Sequence, residues 1–214
     1  MYGIKLNTKV KEMKRNKKAV IAMQNYLLQL GQKLPEFGAD GDLGNETITA
    51  IDKLGYPSFV KTALKEVGIV ELSGKDHNKR VLEYQATTSG KYTDDETPWC
   101  GAFVSWVFTK SNIKHGIKTP ERAKEWSSFG SPTNIPIVGT IAVKSRVGGG
   151  HVCIIIGKDK EGNLLCVGGN QNNEVNIGTY KKEVFESFRN HTSMNVVSLP
   201  TVDIKSSASV SSEA

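Results

Sequence analysis

The hydrophobic period of this chain changes near Ile137, and that change limits the folds open to it. Before it, apolar residues recur at helical spacing. Val20, Met23, Leu27 and Leu30 make one stripe that closes at Gly31, and Ile48 and Ile51 face inward from a second helix over 46–54. Phe59 to Val67, Arg80 to Gln85, the strongly apolar run from Trp99 to Lys110, and a segment over 120–130 with Trp126 and Phe129 continue the pattern. After it come strand-like runs at 139–143, 151–156, 163–167, 175–180 and 194–199. Helices followed by an antiparallel run predict an α+β fold.

The 214 residues suffice for one large domain or two small ones. Residues 1–17 read as a basic leader, 18–56 as a compact helical module, 57–200 as the main domain and the serine-rich 201–214 as a disordered tail. A module of that size buries too little surface to stand alone, so it is expected to lean on the larger domain or a partner.

The net charge is +6, and much of the excess lies between Lys5 and Lys18. A basic surface favours an anionic partner. No aromatic interleaving or nucleic-acid motif accompanies the lysines, so no nucleic-acid partner is expected. No apolar run approaches the length of a membrane span, and the first 20 residues lack the apolar core of a signal peptide, so neither membrane insertion nor signal-driven secretion is expected. A monomer is expected. The three cysteines, Cys100, Cys153 and Cys166, are too few and odd in number for a disulfide framework, and the four histidines lack metal-ligand spacing. The Asp40-Gly41-Asp42 turn lacks the further oxygen ligands of a calcium loop. No cofactor and no metal are expected.

Thr97-Pro98-Trp99-Cys100-Gly101-Ala102-Phe103 reads as a helix start, with Thr97 as cap and Pro98 in the first position, which places Cys100 about three residues into the helix. Unpaired backbone N–H groups and the helix dipole there favour a thiolate, the nucleophilic form of cysteine, and the same N–H groups can hold an oxyanion. Gly101 would let a substrate approach closely. The competing reading of Cys100 is a small buried hydrophobe.

Gly148-Gly149-Gly150-His151 puts a histidine at the mouth of an apolar strand, and Cys166-Val167-Gly168-Gly169-Asn170 folds back beside it through a turn near Lys160 and Glu161. If the turn centres between those two residues, His151 faces Asn170; shifted by two, Cys153 faces Cys166. In either register His151, Cys153, Cys166 and Asn170 share a face by the two-residue alternation of a strand. Asn170 would then accept the Nδ1 hydrogen of His151 and leave Nε2 to take the thiol proton, unless Asn170 is simply a turn residue. The same face would pack on the helix that starts at Cys100, with Cys153 and Cys166 as core residues behind the histidine.

These segments carry a resemblance. Asp95-Glu96-Thr97-Pro98-Trp99-Cys100-Gly101-Ala102-Phe103-Val104, Gly150-His151-Val152 and Gly168-Gly169-Asn170-Gln171, with Glu66, Glu71, His77-Asn78 and Tyr84 upstream, resemble the cysteine, histidine-dependent amidohydrolase/peptidase (CHAP) and NlpC-type cell-wall hydrolases over residues 57–190. Met23-Gln24, Leu27, Gly31 and Gly38-Ala39-Asp40-Gly41-Asp42-Leu43-Gly44 resemble a peptidoglycan-binding module. The resemblance implies a papain-like catalytic domain, a helix carrying cysteine packed on an antiparallel sheet. It also implies Cys100 as nucleophile, His151 as base and Asn170 as its orienter. Peptidoglycan is the implied partner, cleaved as by an N-acetylmuramoyl-L-alanine amidase or endopeptidase. The implied biology is a phage endolysin, held in the host cytoplasm until release to the wall, or a virion-associated lysin. Trp99 stands where many CHAP domains have glutamine, which leaves the side-chain half of the oxyanion hole to Glu96 or Tyr84 as nearby candidates. A non-catalytic wall-binding or structural virion protein and an interbacterial amidase toxin are the alternatives.

Overall fold

A computed structural model describes residues 15–203 apart from 73, 75, 147 and 194, together with the backbone of residues 10–11. The order is β1 (Val10–Lys11), α1 (Lys17–Gln29), α2 (Asn45–Asp52), α3 (Ser58–Leu64), β2 (His77–Asn78), α4 (Lys79–Gln85) and α5 (Cys100–Lys110). A 3-10 helix, Ala123–Ser128, leads into β3 (Ser131–Pro132), β4 (Ile141–Arg146), β5 (Gly149–Lys158), β6 (Leu164–Gln171), β7 (Glu174–Tyr180) and β8 (Ser187–Asn190). The chain is thus α+β. Strands β3-β8-β4-β5-β6-β7 form an antiparallel sheet, and β1 pairs in parallel with β2. Among the described residues no helix is long and apolar enough to cross a membrane.

Helix α1 starts where Asn16 caps it, its Oδ1 accepting from Lys18 N, and ends before Gly31, whose φ of +77° suits a residue without Cβ. The turn expected to mark a wall-binding module closes on this helix. Gln24 Nε2 donates to Asp40 Oδ1 at 2.9 Å, and Gly41 N donates to Gln24 Oε1 at 2.8 Å. Val20, Met23 and Leu27 of α1 belong to the same buried core as Phe103 of α5 and Ile154 of β5, and Tyr26 donates to the Ile156 carbonyl at 2.7 Å. The helical unit of 18–56 and the residues after it therefore share one continuous core.

Two boundaries and two elements differ from the sequence reading. Arg15 Nη1 donates to Val67 O, and α1 already includes Lys17, so the end of the leader belongs to the fold; residues 1–9 and 12–14 lie outside the described residues. Val202 is buried, its N–H bonded to Lys158 O, and Asp203 exchanges two hydrogen bonds with Gln29, so the tail cannot begin at 201; residues 204–214 lie outside the described residues. The helix expected over 120–130 is the shorter 3-10 helix, tied down by Trp126 Nε1 donating to Pro120 O. The 194–199 run read as a strand carries none among its described residues, of which Val197 O accepts from Val138 N; the strand beside β4 is β8.

Candidate active site

Helix α5 begins at Cys100, with Trp99 as N-cap, two residues later than the Thr97 cap read from sequence. Thr97 is diverted: both its N–H and its hydroxyl donate to Asp94 Oδ1, at 2.9 and 3.0 Å, making a turn ahead of the helix. Cys100 is therefore the first helical residue. The first intrahelical donor is Phe103 N, bonded to Trp99 O at 2.8 Å, so the N–H groups of Cys100, Gly101 and Ala102 have no acceptor within the helix. Gly101 serves packing: a Cβ there would lie 2.2 Å from Pro120 O and 2.8 Å from Glu121 O. The space assigned to substrate from sequence is filled by this backbone.

The sheet presents two faces. Val152, Ile154 and Val167 point into the main core with α5. Ala142, Cys153, Ile155 and Cys166 point the other way, into a second core with Tyr180 and Phe185. The hairpin face with Cys153 and Cys166 thus turns away from α5, opposite to expectation, because the branched aliphatic residues 152, 154 and 167 fill the helix side. Both thiols are buried and free, and burial pushes the Cys153 thiol well up. His151 has the parity of Cys153, and its ring stacks near Tyr180 with centroids 6.2 Å apart.

The start of α5 meets the strand carrying His151 at the end of the sheet. The β5–β6 ladder runs from Lys158 and Leu164 to Ile154 and Val167. Beyond it, Gly169 lies against Trp99 and Phe103, and Cys100 Sγ comes to 3.9 Å from the carbonyl oxygen of Gly150, the residue before His151. Peptide geometry then keeps the sulfur within about 7 Å of His151 Cα. Cys100 and His151 are 3% and 1% exposed.

The partner of the imidazole is Gln171, not Asn170. His151 Nε2 lies 3.2 Å from Gln171 Oε1, which also accepts from Tyr180 OH at 2.8 Å. Gln171 Nε2 donates to Asn176 Oδ1 at 2.7 Å and Asn176 O at 2.9 Å, so Oε1 is the acceptor end. An acceptor there takes a proton from His151 Nε2, the reverse of the sequence reading, which put the hydrogen on Nδ1. Direct opposition would place Asn170 across from His151, since Ile154 pairs with Val167. Asn170, however, takes a left-handed φ of +55°, and the β6–β7 register shifts between Gly168 and Gln171. The bulge breaks the alternation and turns Gln171 onto the histidine face.

Neither side chain suggested for the oxyanion hole is placed for it. Tyr84 is fully buried, donates to Glu66 Oε2 at 2.6 Å and packs edge-on against Phe103 and Trp106. Glu96 is turned to another partner, accepting from Gly74 N at 3.0 Å. The helix itself leaves over the backbone N–H groups of Cys100, Gly101 and Ala102 as donors at its start.

The other motif residues frame this helix start. Trp99 Nε1 donates to Glu71 Oε2 at 3.0 Å, and partial burial raises the Glu71 carboxyl, as do Asp95, Glu96 and Asp94 nearby. Asp95 is fully buried, with Oδ1 3.0 Å from His77 Nδ1 and Oδ2 accepting from Leu72 N and Asn78 N. Sequence reasoning missed Gln171, Asn176, Tyr180 and the Trp99–Glu71 contact. The Gly168-Gly169-Asn170 run was a signal for a bulge, because glycine and asparagine tolerate left-handed backbone. Comparison with protein-family models, curated proteins and solved structures gave no match for this chain.

Proposed function

We propose that this protein is a cysteine-dependent peptidoglycan hydrolase with a papain-like catalytic arrangement and a wall-binding N-terminal unit. One observation carries the reading: a thiol on the first residue of a buried helix lies against the residue preceding a histidine whose tautomer is fixed by a buried amide. The resemblance of residues 57–190 to CHAP and NlpC-type hydrolases supplies the substrate class.

In the proposed mechanism Nδ1 of His151 takes the Cys100 proton, giving a thiolate and an imidazolium. The sulfur attacks the carbonyl carbon of a wall amide, and the N–H groups opening α5 hold the oxyanion. The imidazolium passes its proton to the leaving nitrogen as the C–N bond breaks, leaving a thioester. Water then attacks, giving its proton to Nδ1, and the C–S bond breaks as Sγ recovers a proton. Gln171 holds the ring through both halves. The basic charge suits an anionic wall, and delivery as a phage endolysin or virion-associated lysin fits this reading.

Zymography on purified walls with wild type and Cys100→Ala tests it. Clearing by wild type alone is expected; equal clearing by both removes Cys100 from the mechanism, and no clearing by wild type on any wall type removes the function. Mass spectrometry of the released muropeptides identifies the bond cut.

A further inference from the structure

Helix α5 begins without the usual cap. Its N-cap residue is Trp99, whose side chain accepts nothing from the helix, and its first turn holds no acidic residue. A capping side chain fixes a helix start by accepting from the first backbone N–H groups. At this helix it would occupy the donors that the proposed mechanism gives to the oxyanion. The start of α5 is left to be fixed from elsewhere.

The Trp99 indole supplies the attachment. Trp99 is fully buried, and its Nε1 donates to Glu71 Oε2 at 3.0 Å. On the far side of the indole, Cζ3 lies against Gly169 of β6. Glu71 is itself held by its backbone. Its N–H donates to Asn173 O at 2.7 Å, in the turn that follows Gln171, and the neighbouring Val70 bridges to Glu174. Leu72 N donates to the buried Asp95 Oδ2 at 2.9 Å. The carboxylate thus stands on a segment tied to the turn beside the imidazole's partner, and it holds the residue before Cys100.

We propose that Glu71 is a positioning residue: by holding the Trp99 indole it replaces the cap that α5 lacks and sets Cys100 against the β6–β7 turn beside Gln171. A buried indole N–H needs an acceptor, and a carboxylate is a strong one. Because the segment around Glu71 is anchored through its backbone, a change of side chain at 71 alters the hold on Trp99 and leaves the anchorage in place. Partial burial raises the Glu71 carboxyl, as do Asp95, Glu96 and Asp94, while the indole N–H holds it down.

The effect on catalysis rests on the hydrolase reading; the hold on the indole does not. Glu71→Gln keeps an acceptor for the indole, Glu71→Leu removes it, and Trp99→Phe removes the donor. On solubilised wall fragments kcat is expected to fall at least about tenfold in Glu71→Leu and in Trp99→Phe with KM unchanged, and to stay within about threefold of wild type in Glu71→Gln. The double variant Glu71→Leu/Trp99→Phe should be no slower than the slower single one, because both changes break one contact. Triple-resonance NMR on the full-length protein reads the placement without any wall. The backbone amide resonances of Cys100 to Ala102 should move in Glu71→Leu and stay near wild type in Glu71→Gln. In wild type the Trp99 indole N–H resonance should follow the Glu71 carboxyl as it titrates above its ordinary 4.5, and Glu71→Gln should abolish that response.

Wild-type kcat or unmoved amides in folded Glu71→Leu would mean that packing alone holds the helix start, and overturns the proposal. So does a Glu71→Gln protein as slow as Glu71→Leu, a double variant in which the two losses multiply, or a wild-type indole resonance that ignores the carboxyl. The wild-type titration decides even if no variant folds. Loss of the hydrolase reading alone would show as walls left intact by wild type while the indole and the amides respond as expected.

Discussion

Gly169 is a point of close approach between the sheet and α5, and Gly169→Ala measures how closely that contact sets the candidate site. A Cβ added there would sit 2.6 Å from Phe103 Cβ, 2.6 Å from Trp99 Cζ3 and 2.8 Å from Phe103 Cγ. Ordinary carbon contacts lie near 3.5–4.0 Å, so the new methyl needs about 1 Å that the structure does not have. Trp99 and Phe103 are both fully buried, and the Trp99 indole is tied to Glu71, so neither ring swings aside easily. The expected response is displacement of α5 from β6. Overpacking of this kind costs about 3 kcal/mol, and for a chain of this size about 6–12 °C in melting temperature. The same displacement moves Cys100, whose sulfur sits 3.9 Å from Gly150 O, relative to His151, and an ångström of misplacement lowers a rate about a hundredfold. Gly149→Ala is the control, because its Cβ meets nothing within 4 Å and its φ is not positive. That variant should melt within about 1 kcal/mol of wild type, on the stable side if it differs. Thermal melts and wall-clearing rates on the three proteins check both effects. A Gly169→Ala protein with wild-type melting temperature and rate, or a Gly149→Ala protein as unstable as Gly169→Ala, refutes the argument that this contact positions the helix.

Cys100→Ala should abolish wall clearing and leave the melting temperature within a few degrees, since the change removes a single atom at the first residue of the helix; circular dichroism melts beside zymography separate the two. Gln171→Leu should lower activity by about a hundredfold or more, because the ring loses the acceptor that fixes its tautomer, whereas Asn170→Gly should retain activity within a few-fold, since its left-handed backbone suits glycine. Equal losses for the two would return the orienting role to Asn170. Burial raises the Glu66 carboxyl, against the opposing effects of Tyr84, Arg80 and Arg15. A raised carboxyl binds protons preferentially in the folded state, so its contribution to stability grows as pH falls through the raised value and levels off below the ordinary 4.5. Denaturant titrations should therefore show wild type gaining on Glu66→Gln as pH is lowered from 7 toward 4.5; a gap that shrinks over that range contradicts the assignment.

The parts of the fold legible in the sequence are those governed by period alone. The α1 stripe of Val20, Met23 and Leu27, the apolar run after Cys100 and the strands around Ile154 and Val167 each bury what their spacing says they bury. The approach of Cys100 to the strand mouth at Gly150 follows from features marked by local residues, Pro98-Trp99-Cys100 on one side and three glycines on the other. Which sheet face turns to the helix was not. Cys153 and Ile154 are adjacent, both apolar and both buried, so alternation says that they part company without saying which goes inward. The helix cap was misplaced for a related reason: Thr97 suits a cap by its side chain, but Asp94, three residues earlier, competes for the same donors and wins them.

The exchange of Asn170 for Gln171 shows how far parity can be carried. Counting by twos from Cys166 places residue 170 on the histidine face, and the observed pairing of Ile154 with Val167 supports that count as far as the ladder runs. The count fails at a bulge, because the extra residue there breaks the two-residue alternation, and Asn170 with its positive φ lies within the register shift. Asparagine reaches that conformation more readily than most residues, so the side chain that looked like the orienter is the one whose backbone delivers its neighbour. Gln171 is one methylene longer than asparagine, enough to reach across the bulge to Nε2 while its own amide nitrogen stays held by Asn176. A chain that kept Gly168-Gly169-Asn170 but lost Gln171 would retain the sheet and the bulge and lose the fixed tautomer, which makes position 171 the discriminating residue for whether the imidazole is held as a base.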